Sequence, residues 1–294
     1  FSVPNPNVYP GDEGATLAIA RLLNENMAAL AKALPGRFKF FATTPFPYVH
    51  CIGIISFSAL ESLGALGVAL SSNHEGHYLG DPLFMAFFGA IQNSKSVFSF
   101  VPNLMCCGAI IFLHPNEPLL HINDTFIKAN PTAYSPVSFA NTCLLSVNTT
   151  ILDLALSQTL TNYTSLDFIL PHLGGAFPSI IDRWDWLFSL GRTKGAICRS
   201  MVPGPLLDDV MVAVRTRCWW DSAGFTYSHQ LGGLLAYDIS PSFLLYGSDY
   251  PYIPPSLVDA SAKAIVKSPF LTDEQKRQVS NENAQRLFSG RKAV

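Results

Sequence analysis

The sequence predicts an α/β fold in one domain, with parallel strands joined by crossover helices. Two observations carry this. Short apolar, β-prone runs alternate with helical segments through all 294 residues, as parallel sheets require, because parallel neighbours cannot be joined by a tight hairpin. No stretch shifts in composition as a linker would, and no internal repeat or low-complexity tract interrupts the alternation, so a single domain is expected over 1–294.

The elements follow in order. Asp12-Glu13 opens a helix that Pro35-Gly36 stops, and Ala20, Leu23, Met27, Leu30 and Leu34 fall on its predicted apolar face. Residues 38–43 are a β-prone run closed by Pro45 and Pro47. A weak helix over 56–63 leads into a strand at 67–71, and the polar loop Asn73-His74-Glu75-Gly76 follows. Asp81-Pro82 starts a helix reaching about Gln92. The next strand, 109–113, ends at His114. A helix over 150–160 precedes a strand at 166–170 that runs into Pro171-His172. Strands at 217–220 and 243–246 come next, the latter leading into Gly247-Ser248-Asp249. Near the C-terminus Thr272 and Gln275 have the spacing of a helix capping box. Six strand units are counted. The segment 94–107 (SKSVFSFVPNLMCC) fits neither period and exceeds the usual ~2–6 residues of such a connection, so it reads as an insertion.

Composition excludes several classes of function. Lys+Arg 19 against Asp+Glu 21 leaves a net charge of -2, with no basic field for a nucleic acid. The apolar stretches 51–70 and 97–113 are interrupted by Glu61 and by Pro102-Asn103, short of the ~20 apolar residues of a membrane span. The six cysteines form no C-x-x-C pair and read as reduced thiols, which points to the cytoplasm. The expected partners are a small molecule and a second copy of the chain, as a homodimer.

His114, His172 and Asp249 each lie just past the end of an apolar strand. In a parallel α/β barrel those positions open on one face, where catalytic groups collect. Imidazole and carboxylate are also the ligands that Zn²⁺ and similar ions take. Each residue has a structural alternative: either histidine can cap a carbonyl, and Asp249 can be a turn residue. The loop Asn73–Gly76 either lines the substrate pocket or only turns the chain. Asp221, ending the strand before Asp249, either faces the mouth, orienting a ligand histidine, or makes a structural hydrogen bond.

Three segments carry a resemblance: Ile110-Ile111-Phe112-Leu113-His114-Pro115, Leu170-Pro171-His172-Leu173-Gly174-Gly175 and Tyr246-Gly247-Ser248-Asp249-Tyr250-Pro251. In this order they are similar to successive signatures of the amidohydrolase-2 family, which includes metal-dependent decarboxylases of small aromatic acids. Pro35-Gly36-Arg37-Phe38 and Tyr78-Leu79-Gly80-Asp81-Pro82 fit the same family. The resemblance implies a (β/α)8 TIM-type barrel of the metal-dependent hydrolase type. It implies His114 and Asp249 as ligands of Zn²⁺ or another divalent metal such as Mn²⁺, and His172 and Asp249 as catalytic groups. It leaves Asn73, His74 and Glu75 as candidate substrate contacts. Family members also carry an H-x-H or E-x-H ligand pair on the first strand, and none lies near Phe1.

The expectation is therefore a barrel lacking its first strand and most of its second. Such a sheet would have unpaired backbone at its edges, and this chain would be catalytically silent as it stands. The activity implied is non-oxidative decarboxylation of an aromatic acid resembling 6-methylsalicylate. The alternatives are metal-dependent hydrolysis of a lactone or amide, and a non-catalytic remnant.

Overall fold

The computed structural model describes residues 6, 9–93, 109–117, 119–123, 125–128, 138–190, 207–224 and 228–289; the expected insertion at 94–107 lies outside them. Helix α1 (Glu13–Ala33) begins where Asp12 accepts the Ala15 N–H at 2.9 Å, satisfying one of the orphan donors at a helix start. Its buried face differs from the apolar stripe. Leu30 and Leu34 are exposed, and Thr16, Ala20, Asn24 and Met27 pack inward. Asn24 explains the rotation. Its side chain accepts the Thr43 N–H at 2.7 Å and donates to the Thr43 carbonyl at 3.0 Å, bringing a polar residue onto strand β1 (Ala42–Thr43).

Helix α2 (Ile52–Ser62) leads to β2 (Gly67–Ser71) and a tight hairpin of β3 (Asn73–His74) and β4 (His77–Tyr78). Asp81 accepts the Leu83 N–H at 2.8 Å and starts a turn that enters α3 (Met85–Asn93). Then come β5 (Ile110–His114) and a second hairpin, β6 (Leu119–Ile122) with β7 (Thr125–Lys128). Helices α4 (Ser138–Leu156) and α5 (Thr159–Asn162) lead to β8 (Asp167–Leu170), then α6 (Phe177–Leu190) and α7 (Leu207–Thr216). Strand β9 (Cys218–Asp221), α8 (Ser228–Leu235) and β10 (Leu244–Leu245) follow. Helices α9 (Pro255–Val266), α10 (Asp273–Arg277) and α11 (Asn283–Ser289) close the described chain. The Thr272–Gln275 capping box forms as the spacing predicts.

Six strands form one parallel sheet in chain order, β1-β2-β5-β8-β9-β10. Alternation sorts their side chains. Val68, Leu70, Ile111, Leu113 and Trp220 face the helices, meeting Phe88, Leu154 and Val214. Phe41, Ala69, Ile110, Ile169, Trp219 and Leu245 face the other side, where Leu287 and Phe288 of α11 cover them. Burial on both faces is why these strands read as apolar runs.

The edges are not left unpaired, contrary to expectation. Asn24 occupies the outward N–H and C=O of Thr43 on β1. On β10, Asn283 donates to the Leu244 carbonyl at 2.8 Å, and Val279 accepts the Tyr246 N–H at 3.1 Å. No pairing between β1 and β10 is seen among the described residues. No helix among them is long and apolar enough to cross a membrane.

Candidate active site

Parallel strands carry their C-terminal ends to one side, and three of the sequence-predicted residues sit there. His114 is the last residue of β5, in register with Ser71 at the end of β2. His172 follows β8 by two residues, and Asp249 follows β10 by four. His114 and Asp249 both lie close enough to His172 to feel its charge. Gly224, after β9, shows how near the last two are. A Cβ on it would lie 3.1 Å from His172 Nδ1 and 3.5 Å from Asp249 Oδ2. Only a glycine leaves that space, and its φ of +72° also disfavours a side chain.

Burial sets the electrostatics. It holds the His114 imidazole down at about 4, helped by the neighbouring His172, so His114 is neutral and fit to be a ligand. Burial pushes the Asp249 carboxyl up, and His172 pulls it partway back. The Asp221 carboxyl, ending β9, is likewise raised by burial against the pull of His172. Asp221 takes the structural role among its two alternatives, yet within the site: its Oδ1 accepts the Ala223 N–H at 2.7 Å and the His172 N–H at 3.4 Å. The His172 ring donates from Nδ1 to the Ala223 carbonyl at 2.7 Å. A carbonyl can only accept, so the proton is on Nδ1 and Nε2 is left for chemistry.

The loop after β2 divides. Asn73 is tied to the segment after His114, because Asn116 donates to its carbonyl at 3.2 Å, and its own Nδ2 is buried without a partner. His74 and Glu75 make their contacts elsewhere. His74 is enclosed between Phe46 and Phe84, with ring centroids at 5.0 and 6.1 Å, and accepts the Ser71 N–H at 3.2 Å. Glu75 accepts from Gly11 N at 2.7 Å and from the Tyr48 hydroxyl at 3.2 Å. Burial first, and Glu75 second, push the Tyr48 phenol up to about 12. Sequence reasoning missed Gly224, Asn116 and Tyr252, whose ring lies 5.5 Å from that of His114. None sits in a motif; a glycine four residues past a strand carries too little signal.

His74 gives a test of the fold around this loop. Burial lowers its pKa from 6.5 to about 3. The unfolded chain therefore takes up a proton below 6.5 that the folded chain refuses, so this histidine's contribution is complete above 6.5 and is lost as pH falls towards 3. His74→Phe is expected to flatten the loss of urea stability between neutral pH and about pH 5. An unchanged slope would mean that His74 is protonated in the folded chain.

The donor chemistry suits a divalent metal, since His114 is a neutral imidazole and Asp249 a carboxylate. The number does not suffice: among the described residues no three His, Cys, Asp or Glu side chains group closely enough to hold an ion. These two could supply part of a ligand set.

Comparison with known proteins shows the family of the chain. The 6-methylsalicylic acid decarboxylase of Penicillium expansum is 26% identical over 100% of this chain and 81% of its own length. The crystal structure of 5-carboxyvanillate decarboxylase from Sphingomonas paucimobilis superposes with a TM-score of 0.75 at 21% identity, covering 98% of this chain and 77% of that one. A mutant of the Novosphingobium aromaticivorans 5-carboxyvanillate decarboxylase, with bound manganese and 3-methoxy-4-hydroxy-5-nitrobenzoic acid, gives 0.72 at 18% identity over 97% and 74%. The Amidohydrolase family pattern matches residues 2–290, which takes in every strand and all three strand-end residues, and the chain belongs to that family.

Proposed function

We propose that the chain is a metal-dependent non-oxidative decarboxylase, a carboxy-lyase, acting on a small aromatic acid of the 6-methylsalicylate type. One observation carries the reading most: His172 and Asp249 flank the same glycine at the end of the sheet where His114 also lies. The named activity of the Penicillium relative and the aromatic acid decarboxylases among the structural neighbours support the substrate class. His114 and Asp249 would hold Zn²⁺ or Mn²⁺, the manganese of the Novosphingobium structure favouring the latter. A bound ion would draw charge from the acid's carboxylate and orient it.

The chain's own groups supply the proton. Loss of CO₂ from an aryl acid leaves a carbanion unless the ring carbon is protonated first. His172, carrying a second proton on Nε2, or the adjacent Asp249 delivers that proton to the carbon bearing the carboxylate. The C–C bond to the carboxylate then breaks, its electron pair returns to the ring and CO₂ departs. Asn73, with its unpartnered amide nitrogen, is the substrate contact; His74 and Glu75 shape the loop behind it. The proposal extends to a cytoplasmic homodimer. Free, buried Cys218 suits a reducing compartment, and exposed Leu120, Ile122 and Ile127 on the β6–β7 hairpin offer an apolar contact face.

The assay is CO₂ release from 6-methylsalicylate after loading with Mn²⁺ or Zn²⁺. It is run on 1–294 alone and on 1–294 fused behind a segment carrying H-x-H, the further ligand pair that the family resemblance implies. The expected result is metal-dependent CO₂ release, raised further in the fused form. Acid release from a lactone, without CO₂ from any aromatic acid, would replace decarboxylation with hydrolysis.

A further inference from the structure

The turn that carries His172 has a backbone that side chains avoid. His172, Leu173, Gly174 and Gly175 have φ values of 53, 50, 79 and 62° in succession. Two glycines accept this readily; a histidine and a leucine crowd their own carbonyls there. Two internal bonds close the turn, from Gly174 N to Pro171 O at 2.9 Å and from Gly175 N to His172 O at 3.0 Å.

Two further bonds come from a distant element. Gln230, on α8, donates its Nε2 to the His172 carbonyl at 2.6 Å and to the Gly175 carbonyl at 2.9 Å. Both partners are carbonyls, so the amide can only present its nitrogen. With Asp221 on the His172 N–H and the Ala223 carbonyl on the ring Nδ1, the polar groups of His172 other than Nε2 are committed.

We propose that Gln230 is a positioning residue for His172, clamping the two ends of the left-handed turn with one amide nitrogen so that Nε2 is aimed at the substrate. This rests on the reading of His172 as a catalytic residue. The clamp needs a donor with two hydrogens and no acceptor facing the turn. A carboxylate would set oxygen against oxygen, and an aliphatic side chain would leave two carbonyls without their donor. Released, His172 and Leu173 relax towards negative φ, and the ring swings away from Ala223. Near-attack geometry is lost while the pocket that binds the acid is kept, so the effect falls on kcat rather than KM.

Gln230→Met keeps the length and removes the donor; Gln230→Lys restores a donor. Hydrogen exchange of the peptide spanning the turn is measured in 1–294 itself, and kcat and KM for 6-methylsalicylate in the form that turns over. In the Met variant the turn amides are expected to exchange about tenfold faster, with β2 and β5 peptides unchanged. Its kcat should fall by about 100-fold with KM within about threefold, and Gln230→Lys should recover part of both. Unchanged exchange at the turn, or kcat within about threefold of the parent, overturns the proposal. Should the Met variant fail to fold, Gln230→Glu, which keeps the shape and forfeits the donors, is read in the same way. If the parent decarboxylates nothing, the functional reading falls, and exchange alone decides whether Gln230 holds the turn.

Discussion

Replacing His172 with alanine is expected to lower decarboxylation by about 10²–10⁴-fold while leaving metal content, measured by elemental analysis, unchanged. The range is that of a positioned proton-transfer group. The ring touches the site from a strained turn, held by Asp221, Ala223 and Gln230, and its Nε2 is the one polar atom of the residue left uncommitted. His114→Ala should do the reverse in kind and lower metal content first, because a ligand is removed. A His172 variant that loses its metal would make His172 a ligand and leave the proton to Asp249.

Trp220→Ala is expected to cost about 3–5 kcal/mol of unfolding free energy, the scale for removing a large aromatic from a closed core. Its indole is fully buried, with its centroid 5.1 Å from that of Phe177. It also forms the floor under the catalytic turn: a Cβ on Gly174 would lie 2.5 Å from the Trp220 ring. Its Nε1 has no hydrogen-bond partner, so Trp220→Phe should lose less than the alanine change. The alanine variant should melt roughly 6–10 °C lower. A drop of only a degree or two would mean that the surrounding helices collapse into the vacated volume.

The strands and the strand-end residues were legible because both faces of the sheet are buried. Runs such as 110–113 and 168–170 must then be apolar throughout, and polar residues begin where the buried stretch stops. The alignment of His114, His172 and Asp249 follows from parallel strands alone. Side-chain bonds to backbone leave no such periodicity. Asn24 turned α1 away from its leucine stripe, and Gln230 acts on a turn 58 residues away in sequence; each is an ordinary polar residue on a helix until its partner is seen. The β3–β4 and β6–β7 hairpins escaped for another reason: their strands are too short, and too exposed in the second case, to impose alternation.

The two asparagines at the sheet margins have a consequence for how copies of this chain can meet. A sheet whose outermost strands present free amides and carbonyls can be lengthened indefinitely by neighbours, the first step towards fibrous deposits. Here Asn24 already holds the outward N–H and C=O of Thr43 and Asn283 the Leu244 carbonyl, so a strand from another molecule arrives to find these hydrogen-bonding positions taken. Contacts between copies are thereby steered to side-chain surfaces, where a mismatch in shape or charge can refuse them.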